Sequence, residues 1–566
     1  MIVKFPYLAV VLFIAPLFFL SCKTTPAERA AADQGGSSER QPLSGGVAEE
    51  IRSLAETGLL SSMTEALELI RSRELGSADF GRVMNGVITT LIQKVYPDSL
   101  ARLPPIDLPQ THAYTRIIRE AEKGNYVRPP GNSEDFFEYV LPFLAVNDNT
   151  NSEILAQILN DLSKAEQLRP NSVLPHYFRG LIYERTGQYV EADAAFKKAI
   201  GISSAFYPAL AGSARVLALS GKREEAAALF SDLVISYPDS MIIKRQLAVV
   251  YYQNRDWSKA VPVIDEILQK EPRDGEFLLM KAHVLIEQGN FSQVHVPLDT
   301  YASISPNNRF YLFLRARLQA EGNRNRDSAL NYLRSILRAN PDDEEALIYA
   351  SRLLMESQRP ADQAEGREFL SRLRQTSDSS ISVLSLSLRD AVQRENWQEA
   401  QGYLNRILAM RRTQQDLIDG YNIERALGNF PRALAYAREL YEKENSNDDY
   451  AAVYISALID NGRREEASRL LENRISSLGN GPLRSKFFFL RSRLQTNDEA
   501  ALGDLRSSLF EDPRNLDALI AMFEVYHRRR EERRAVHYLR QALAISPDNP
   551  RLKRYEREYA SLLGRQ

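Results

Sequence analysis

Apolar and small residues recur along most of this chain with the period of an amphipathic α-helix. In one clear example, Ala192, Ala195, Phe196 and Ala199 fall at i, i+3, i+4 and i+7, so they share one helix face. A second apolar stripe lies just before it, and only the short polar stretch of residues 185–188 separates the two. Helices joined so tightly pack antiparallel, and the pattern therefore predicts helical hairpins.

Three markers recur in one phase at intervals of about 34 residues. A proline closes several of the units, at Pro238, Pro272, Pro306 and, one residue late, Pro341. A turn residue, usually glycine, recurs at Gly187, Gly221, Arg255 and Gly289. A small residue stands twelve positions before each place where the proline is expected, at Ala192, Ala226, Ala260 and Ala329, with Val294 as the exception. Self-similarity at a fixed period indicates a repeat array in which each unit buries its apolar face against its neighbours.

The small-residue marker continues towards the C-terminus, at Ala364, Ala400, Ala433, Ala467, Ala501 and Ala535. Eleven units are thereby accounted for, from about residue 176 to Pro547. Aromatic residues that look like a stripe occupy the turn position of the unit, so we interpret them as packing residues: Tyr189, Trp257, Phe291, Trp397 and Phe430.

These markers resemble the tetratricopeptide repeat, whose unit has a small residue and an aromatic residue in helix A, a glycine turn, an alanine in helix B and a closing proline. The matching residues of the first clear unit are Gly180, Tyr183, Gly187, Tyr189, Ala192, Phe196 and Ala199, with Ser204 in the proline place. The resemblance covers about two thirds of the chain. It implies an all-α, right-handed superhelical solenoid of about eleven to twelve helix-turn-helix repeats.

The resemblance also implies where a partner binds. Members of the family line a concave groove with helix-A positions two, five, nine and twelve, counted with the helix-B alanine as twenty. The corresponding residues are Tyr177, Leu181, Ala211, Arg215, Arg245, Val249, Tyr252, His283, Phe310 and Phe313. This mixture of aromatic and arginine side chains suits an extended peptide or a helix. The Lys and Asn pattern with which some members clamp a chaperone's C-terminal carboxylate is absent there.

Segments on both sides of the array complete the predicted organisation. Residues 47–131 are predicted to form an N-terminal helical cap, in which Ser62 and Glu65 have the spacing of a capping box. The solenoid is predicted to occupy residues 132–550. Residues 551–566 are predicted to form a C-terminal capping helix, because the terminal face of a solenoid would otherwise expose apolar core.

The first residues have the pattern of an export signal. In residues 1–22, Lys4 precedes an uncharged apolar run that ends at Cys22. Residues 19–22 resemble a bacterial lipobox, in which the cysteine receives a lipid and becomes the mature N-terminus, although Phe19 and Leu20 replace commoner residues. We expect lipid attachment at Cys22. An uncleaved signal anchor and a secreted protein cleaved elsewhere are the alternatives.

Residues 23–46 are rich in Gly, Ser, Pro and charge, so they predict a flexible linker between the lipid and the folded body. Lys23 follows the cysteine, which favours the outer membrane, facing the periplasm, over the inner membrane.

Charge and residue usage narrow the chemistry. The 72 basic and 74 acidic residues give a net charge of -2, which does not provide the basic surface that nucleic acid requires. The densest basic run, residues 528–534, is interpreted as a solvated turn balanced by Glu531 and Glu532, with an acidic-partner or anionic-lipid patch as the alternative.

Metal and catalytic motifs are not found in the sequence. Cys22 is the only cysteine, so neither an intramolecular disulfide nor a thiolate cluster forms. No two of the six histidines have the i, i+3 or i, i+4 spacing of paired metal ligands on a helix. Because a phosphate loop and a nucleophile elbow are also missing, we expect no metal, no cofactor and no enzymatic activity.

The sequence therefore predicts a lipid-anchored scaffold or adaptor that mediates protein–protein interactions in a bacterial cell envelope. One alternative is an envelope enzyme or enzyme regulator whose activity lies in residues 47–150. Another is a scaffold on the inner membrane or in the cytosol.

Replacing the single cysteine tests the anchor. We expect Cys22→Ser to leave unprocessed precursor, because the sulfur that accepts the lipid is gone. Mass spectrometry of the mature N-terminus and membrane fractionation measure the effect. An unchanged mass together with unchanged membrane attachment would show that no lipid is attached at Cys22.

Overall fold

The computed structural model describes residues 45–102, 108–109 and 111–564. Every regular element within these ranges is helical, which confirms the predicted all-α repeat fold. The predicted signal peptide, Cys22 and all but the end of the linker lie outside the described residues. Two compact units divide the chain, an N-terminal unit that runs to Tyr332 and a C-terminal unit that begins at Leu333.

The first helices of the N-terminal unit precede the repeats. They are α1 Gly45–Glu56, α2 Leu60–Ser72, α3 Asp79–Val95, α4 Ala113–Glu122, α5 Phe136–Val140 and α6 Ser152–Leu168. Short 3₁₀ turns lie at Leu75–Ser77, Pro97–Arg102 and Leu141–Ala145. None of the described helices has the length and hydropathy that a segment crossing a bilayer needs.

Helical hairpins follow, which we number as repeats 1 to 11, each with a helix A and a helix B. Repeats 1 to 4 are α7 Leu174–Arg185 with α8 Tyr189–Ile202, α9 Tyr207–Leu219 with α10 Arg223–Ser236, α11 Met241–Gln253 with α12 Trp257–Lys270, and α13 Gly275–Glu287 with α14 Phe291–Ala302. Repeat 5 has α15 Arg309–Arg317, a π-helical turn Leu318–Gly322 and α16 Arg326–Ala339.

The C-terminal unit contains the remaining hairpins. Repeats 6 to 8 are α17 Glu344–Met355 with α18 Pro360–Ser377, α19 Ile381–Gln393 with α20 Trp397–Met410, and α21 Gln414–Ala426 with α22 Phe430–Lys443. Repeats 9 to 11 are α23 Asp448–Asp460 with α24 Arg464–Ser477, α25 Pro482–Ser492 with α26 Asp498–Glu511, and α27 Leu516–Arg528 with α28 Glu532–Ile545. Two short helices, α29 Pro550–Glu558 and α30 Ala560–Leu563, follow instead of one capping helix.

Close packing within and between hairpins depends on small residues. Phe196 of α8 is fully buried, and its ring lies against two glycines on successive A helices. A methyl group at Gly180 would lie 2.5 Å from this ring, and one at Gly212 would lie 2.6 Å from it. The marker residue of helix B is also fully buried in most repeats, for example at Ala192 and Ala226. A larger side chain at these positions would therefore push the helices apart.

The marker positions fail in two repeats. Ala364 is exposed, and Gly366 is the buried small residue of α18, with Ser351 Oγ donating to its carbonyl at 2.6 Å. The reason is that α18 begins only at Pro360, after a longer turn. In repeat 10, Ala501 is half-buried, and the adjacent Leu502 is in the core instead.

The turn between helix A and helix B requires a residue with positive φ. Gly187, Gly221 and Gly289 meet this need with φ of 75°, 86° and 73°. Arg255 takes the same conformation at φ 59°, so the arginine that replaces glycine in the sequence pattern keeps the turn. The aromatic marker lies two residues after this position and is the first residue of helix B. Its side chain is half-buried in four of the five repeats that have it, whereas Phe430 is 39% exposed.

The late proline at position 341 has a structural cause. The helix-A segment of repeat 5 ends in the π-helical turn Leu318–Gly322, which takes up one residue more than an α-helical path. Gly322 lies against Phe291, where a methyl group would approach the ring to 2.8 Å. The extra residue lengthens this repeat to 35 residues without opening the hairpin.

The cap packs directly on the first repeats. Tyr96, at the end of α3, has ring contacts with Phe206 and Tyr207 at 6.0 and 5.6 Å. Its hydroxyl donates to Gly58 O at 3.0 Å and accepts from Leu60 N at 3.2 Å. The predicted capping box at Ser62 and Glu65 is wrong, because α2 begins two residues earlier, at Leu60, where the Tyr96 hydroxyl caps an N–H group.

A glycine-to-alanine pair tests the packing. We expect Gly180→Ala to destabilise the N-terminal unit by about 1–3 kcal/mol, because its methyl group clashes with the buried Phe196 ring. The control is Gly201→Ala, also on repeat 1, where no atom lies within 4 Å and alanine favours the helix. Hydrogen exchange of α7 to α9 measures the difference. Equal protection in the two variants would contradict this packing.

Candidate protein-binding faces

The helix-A side of the N-terminal unit contains all the residues that the sequence analysis assigned to a groove. Several of them are buried in the core. Tyr177 is 7% exposed, and its ring lies 5.3 Å from Phe206 and 6.0 Å from Phe196. Burial raises the pKa of the Tyr177 hydroxyl to about 12. Ala211 and Val249 are also buried, with 4% and 9% of their surface exposed, while Leu181 is half-buried.

Arg215 joins two successive A helices. Its Nε and Nη2 donate to both carboxylate oxygens of Glu184 at 2.8 and 2.7 Å, and only 14% of its side chain is exposed. Burial alone would lower the pKa of Arg215. The Glu184 carboxylate raises this pKa by more than burial lowers it, so the guanidinium stays charged. This bidentate pair leaves little of Arg215 for a partner.

Arg245 is more accessible, with 30% of its side chain exposed, yet it is held on three sides. It donates to Asp274 at 2.5 Å and to Glu271 at 2.7 Å, and its guanidinium lies 4.7 Å from the centre of the Phe277 ring. These contacts bind α11 to the start of α13. Substituting Arg245 would therefore weaken the packing of α11 against α13 and also remove the exposed part of the Arg245 side chain.

A chain of polar contacts links the A helices of repeats 3, 4 and 5. Tyr252 Oη lies 2.6 Å from His283 Nδ1, and His283 Nε2 lies 3.5 Å from Glu287 Oε1. Glu287 in turn accepts from Arg317 at 2.6 Å, and Arg317 also binds Glu321. Hydrogen bonding from His283 and Arg317 outweighs burial and lowers the pKa of Glu287 to about 2. The Glu287 carboxylate is therefore ionised well into acid.

Phe310 and Phe313 complete this side of the unit. The ring of Phe310 lies 5.8 Å from His283, so the structure brings Tyr252, His283 and Phe310 together. Phe313 is 6% exposed, and the guanidinium of Arg309 lies 5.4 Å from the centre of its ring. Like His283, which is 3% exposed, Phe313 is not available as a surface contact.

The helix-A side of the N-terminal unit is therefore closed around repeat 4. Nine of the thirteen residues of α13 are buried, and they lie on all sides of the helix: Phe277, Leu278, Leu279, Met280, Ala282, His283, Val284, Leu285 and Ile286. Large neighbouring side chains cover the positions that a groove would expose.

The C-terminal unit differs, because its helix-A side carries exposed polar residues. Arg389, Asn422 and Arg425 are exposed, and Arg493 is half-buried at 27% of its side chain. We call these four residues, with Ser456 and Asp460, the open face. The sequence analysis did not assign the open face, because it assigned groove positions only in repeats 1 to 5. Counting helix-A positions in the later repeats finds Arg389, Asn422 and Arg425.

The basic run at residues 528–534 is largely neutralised. Arg528 and Arg529 bind Asp498 at 2.6 and 3.2 Å, and Arg534 binds Glu531 at 2.7 Å. Asp498 comes from the preceding repeat, which the sequence analysis did not foresee. The described residues contain no group of His, Cys, Asp or Glu placed to hold a metal ion.

Two models of the tetratricopeptide repeat match the chain, one over residues 175–206 and the other over residues 212–275 and 245–293. These residues cover repeats 1 to 3 and helix A of repeat 4, whose hairpins and turns are described above. The chain therefore contains tetratricopeptide repeats within residues 175–293. As a tetratricopeptide scaffold, it mediates protein–protein interactions.

Known proteins resemble parts of this tetratricopeptide protein. Protein O-mannosyl-transferase TMTC1 of Homo sapiens is 28% identical over 113 residues, which are 19% of this chain and only 13% of the human protein. A tetratricopeptide repeat protein from Parabacteroides merdae is 15% identical with a TM-score of 0.38, over 45% of this chain and 97% of its own. PilF of Pseudomonas aeruginosa is 20% identical with a TM-score of 0.34, over 38% of this chain and 97% of PilF. A chain of the Cut9–Hcn1 structure is 13% identical with a TM-score of 0.34, over 90% of this chain and 96% of its own length.

An acid titration tests the chain through Glu287. Its folded pKa of about 2 lies below the ordinary 4.5, so its contribution to stability is complete above pH 4.5 and is lost as the pH falls towards 2. We expect Glu287→Gln to cost about 1–3 kcal/mol at pH 7, allowing for solvent screening, and little near pH 2. Urea unfolding followed by Trp257 fluorescence in a Trp397→Phe background measures this.

The matched control is Glu465→Gln, since that carboxylate is 93% exposed. It should change stability little at either pH. An equal cost of Glu287→Gln at pH 7 and at pH 2 would mean that the carboxylate charge does not contribute.

Proposed function

We propose that this tetratricopeptide protein is an exported scaffold, anchored to a bacterial envelope membrane by a lipid on Cys22, which binds segments of partner proteins on the open face of its C-terminal unit. The single observation that carries the binding part is the contrast between the two helix-A sides. In the N-terminal unit these positions are filled by the protein's own side chains. In the C-terminal unit Asn422 and Arg425 are exposed.

Accessibility supports this assignment of the binding face. A partner gains affinity by desolvating side chains that are free to meet it, and aromatic and arginine residues contribute most. Arg425 is 45% exposed and Arg389 is 50% exposed, whereas Tyr177, His283 and Phe313 are each below 8%. Binding at the latter would require the core to open.

The anchor is supported by the sequence. A single cysteine directly follows the apolar run, and the polar stretch after it suits a tether. Lys23 favours placement on the outer membrane, facing the periplasm.

We also propose that the role of this protein is binding and not catalysis. The rival hypothesis places an activity in residues 47–150. Polar groups of that region are engaged in packing: Arg52 binds Glu56 at 3.1 Å and Asp135 at 2.9 Å, and the Tyr114 hydroxyl donates to Asp135 at 2.5 Å. These contacts support a structural role for the cap.

Photo-crosslinking in cells tests the binding face. A photoreactive amino acid in place of Asn422 should give discrete adducts with partner proteins, because this exposed position lies on the open face. The same amino acid in place of Glu465, which is 93% exposed on helix B of repeat 9, is the control and should give few or none. Adducts of equal yield from the two positions, or none from Asn422, would overturn the assignment.

A further inference from the structure

A turn of the N-terminal cap contacts the first residues of two successive A helices. The ring of Tyr96 lies 5.6 Å from that of Tyr207, at the start of α9. Two residues later, Asp98 Oδ2 accepts from Ser240 Oγ, and Ser240 directly precedes α11. Asp98 belongs to the 3₁₀ turn Pro97–Arg102, which we call the strap. The strap therefore connects the cap to the starts of the A helices of repeats 2 and 3.

One polar contact holds the strap on repeat 3. Among the strap side chains that the structure describes, only that of Asp98 is hydrogen-bonded to the repeats. Ser240 is buried, whereas Asp98 is exposed. Because a hydrogen bond to a charged acceptor is stronger than one between neutral groups, this contact contributes a large share of the attachment.

The structure on either side does not depend on this contact. Tyr96, at the base of the strap, is 2% exposed, and its hydroxyl makes two hydrogen bonds to backbone groups of the cap. Ser240 Oγ also accepts from Ile243 N at 3.3 Å, so it caps α11 whether or not Asp98 is bound. The strap can therefore leave α11 while the cap and repeat 3 keep their folds.

Two tyrosines lie beside the contact. The rings of Tyr207 and Tyr237 are 4.7 Å apart, and both side chains are half-buried. Tyr237 O accepts from Ser240 N at 3.1 Å. Burial, the Asp98 carboxylate and neighbouring tyrosines together raise the pKa of Tyr207, so Asp98 lies near this ring as well. Aromatic surfaces of this kind bind proline-containing segments.

The binding of Asp98 at repeat 3 has an electrostatic reason. The helix dipole favours a carboxylate at a helix N-terminus. In α13 and α17 the capping residues are Asp274 and Asp343, which supply that carboxylate themselves and would repel a second one. The cap of α11 is the neutral Ser240, so an additional carboxylate is favoured there.

We propose that the strap is an autoinhibitory segment, which occupies a surface formed by Ser240, Tyr207 and Tyr237 as an intramolecular ligand. Once the strap has left, this surface binds a proline-containing acidic segment of a partner polypeptide. The present occupant supports this choice of partner, since it consists of Pro97 followed by Asp98. The proposal goes beyond the open face, because this second surface belongs to the N-terminal unit and must be released before it binds.

The test measures binding of a fluorescein-labelled, C-terminally amidated peptide with the sequence of residues 97–102 to the full chain in detergent, by fluorescence anisotropy. The parent should bind it weakly, because the tethered strap competes at a millimolar effective concentration. We expect Asp98→Ala to bind the peptide at least about tenfold more tightly, with a Kd below about 1 mM, because the competitor has lost its charged hydrogen bond.

Matched changes check the contacts. Asp232→Ala, the same substitution at an exposed position on α10, should bind the peptide like the parent. In the Asp98→Ala protein, a peptide with asparagine in place of its aspartate should bind at least about fivefold more weakly. Adding Ser240→Asp to that protein keeps a capping residue but repels the peptide, so binding should be lost.

Three results would overturn the proposal. They are equal affinity of the parent and Asp98→Ala, equal affinity for the aspartate and asparagine peptides, and no saturable binding to Asp98→Ala.

Hydrogen exchange separates release of the strap from unfolding. Asp98→Ala should speed exchange of the amides of residues 98–102 and leave α11 and repeat 1 protected. Loss of protection throughout the N-terminal unit would show that Asp98 holds the fold together, and it would also overturn the proposal. Crosslinking from position 422 does not involve the strap, so failure of either proposal leaves the other standing.

Discussion

The close approach of helix A to helix B at small residues is the constraint on which the rest of this structure depends. A single aromatic ring, Phe196, fills the space between Gly180 and Gly212. The C-terminal unit has a similar arrangement, in which a methyl group at Gly420 would lie 3.0 Å from Tyr436. Because each hairpin is this thin, its apolar surface is covered only when the next hairpin stacks on it.

Polar contacts between A helices follow from that stacking. The last turn of one A helix repeatedly bonds to a residue in the next, as in Glu184 with Arg215 and Tyr252 with His283. These bonds add direction to a packing that apolar contacts alone would leave free to slide. These hydrogen bonds also engage polar side chains on the helix-A side, so fewer of those side chains are left to bind a partner.

The fold was predictable from the sequence because its markers are local. A positive φ at the turn selects glycine, and a fully buried helix-B position selects alanine, so both appear at a fixed period. The helix-B marker failed at Ala364, where a longer turn moved the small buried position to Gly366. The capping box failed because its competitor, Tyr96, is distant in sequence.

The binding face was much less predictable. Whether a helix-A position is exposed depends on the size of side chains in neighbouring repeats, and the count of positions carries no information on that. Tyr177 and His283 satisfy the count and are buried, whereas Arg425 satisfies it and is exposed. The burial of α13 on all sides is the clearest case, since its sequence looks like that of any apolar A helix.

The contact between His527 and Tyr559 has a consequence for assembly. Its 2.6 Å hydrogen bond resembles that of Tyr252 with His283, but here the partner residue belongs to the short helices that follow repeat 11. Leu552 of α29 is fully buried, while Lys553, Arg554 and Arg557 are exposed. A second molecule that stacked on α29 would have to desolvate these charges. This surface therefore disfavours the head-to-tail contacts from which open-ended filaments grow.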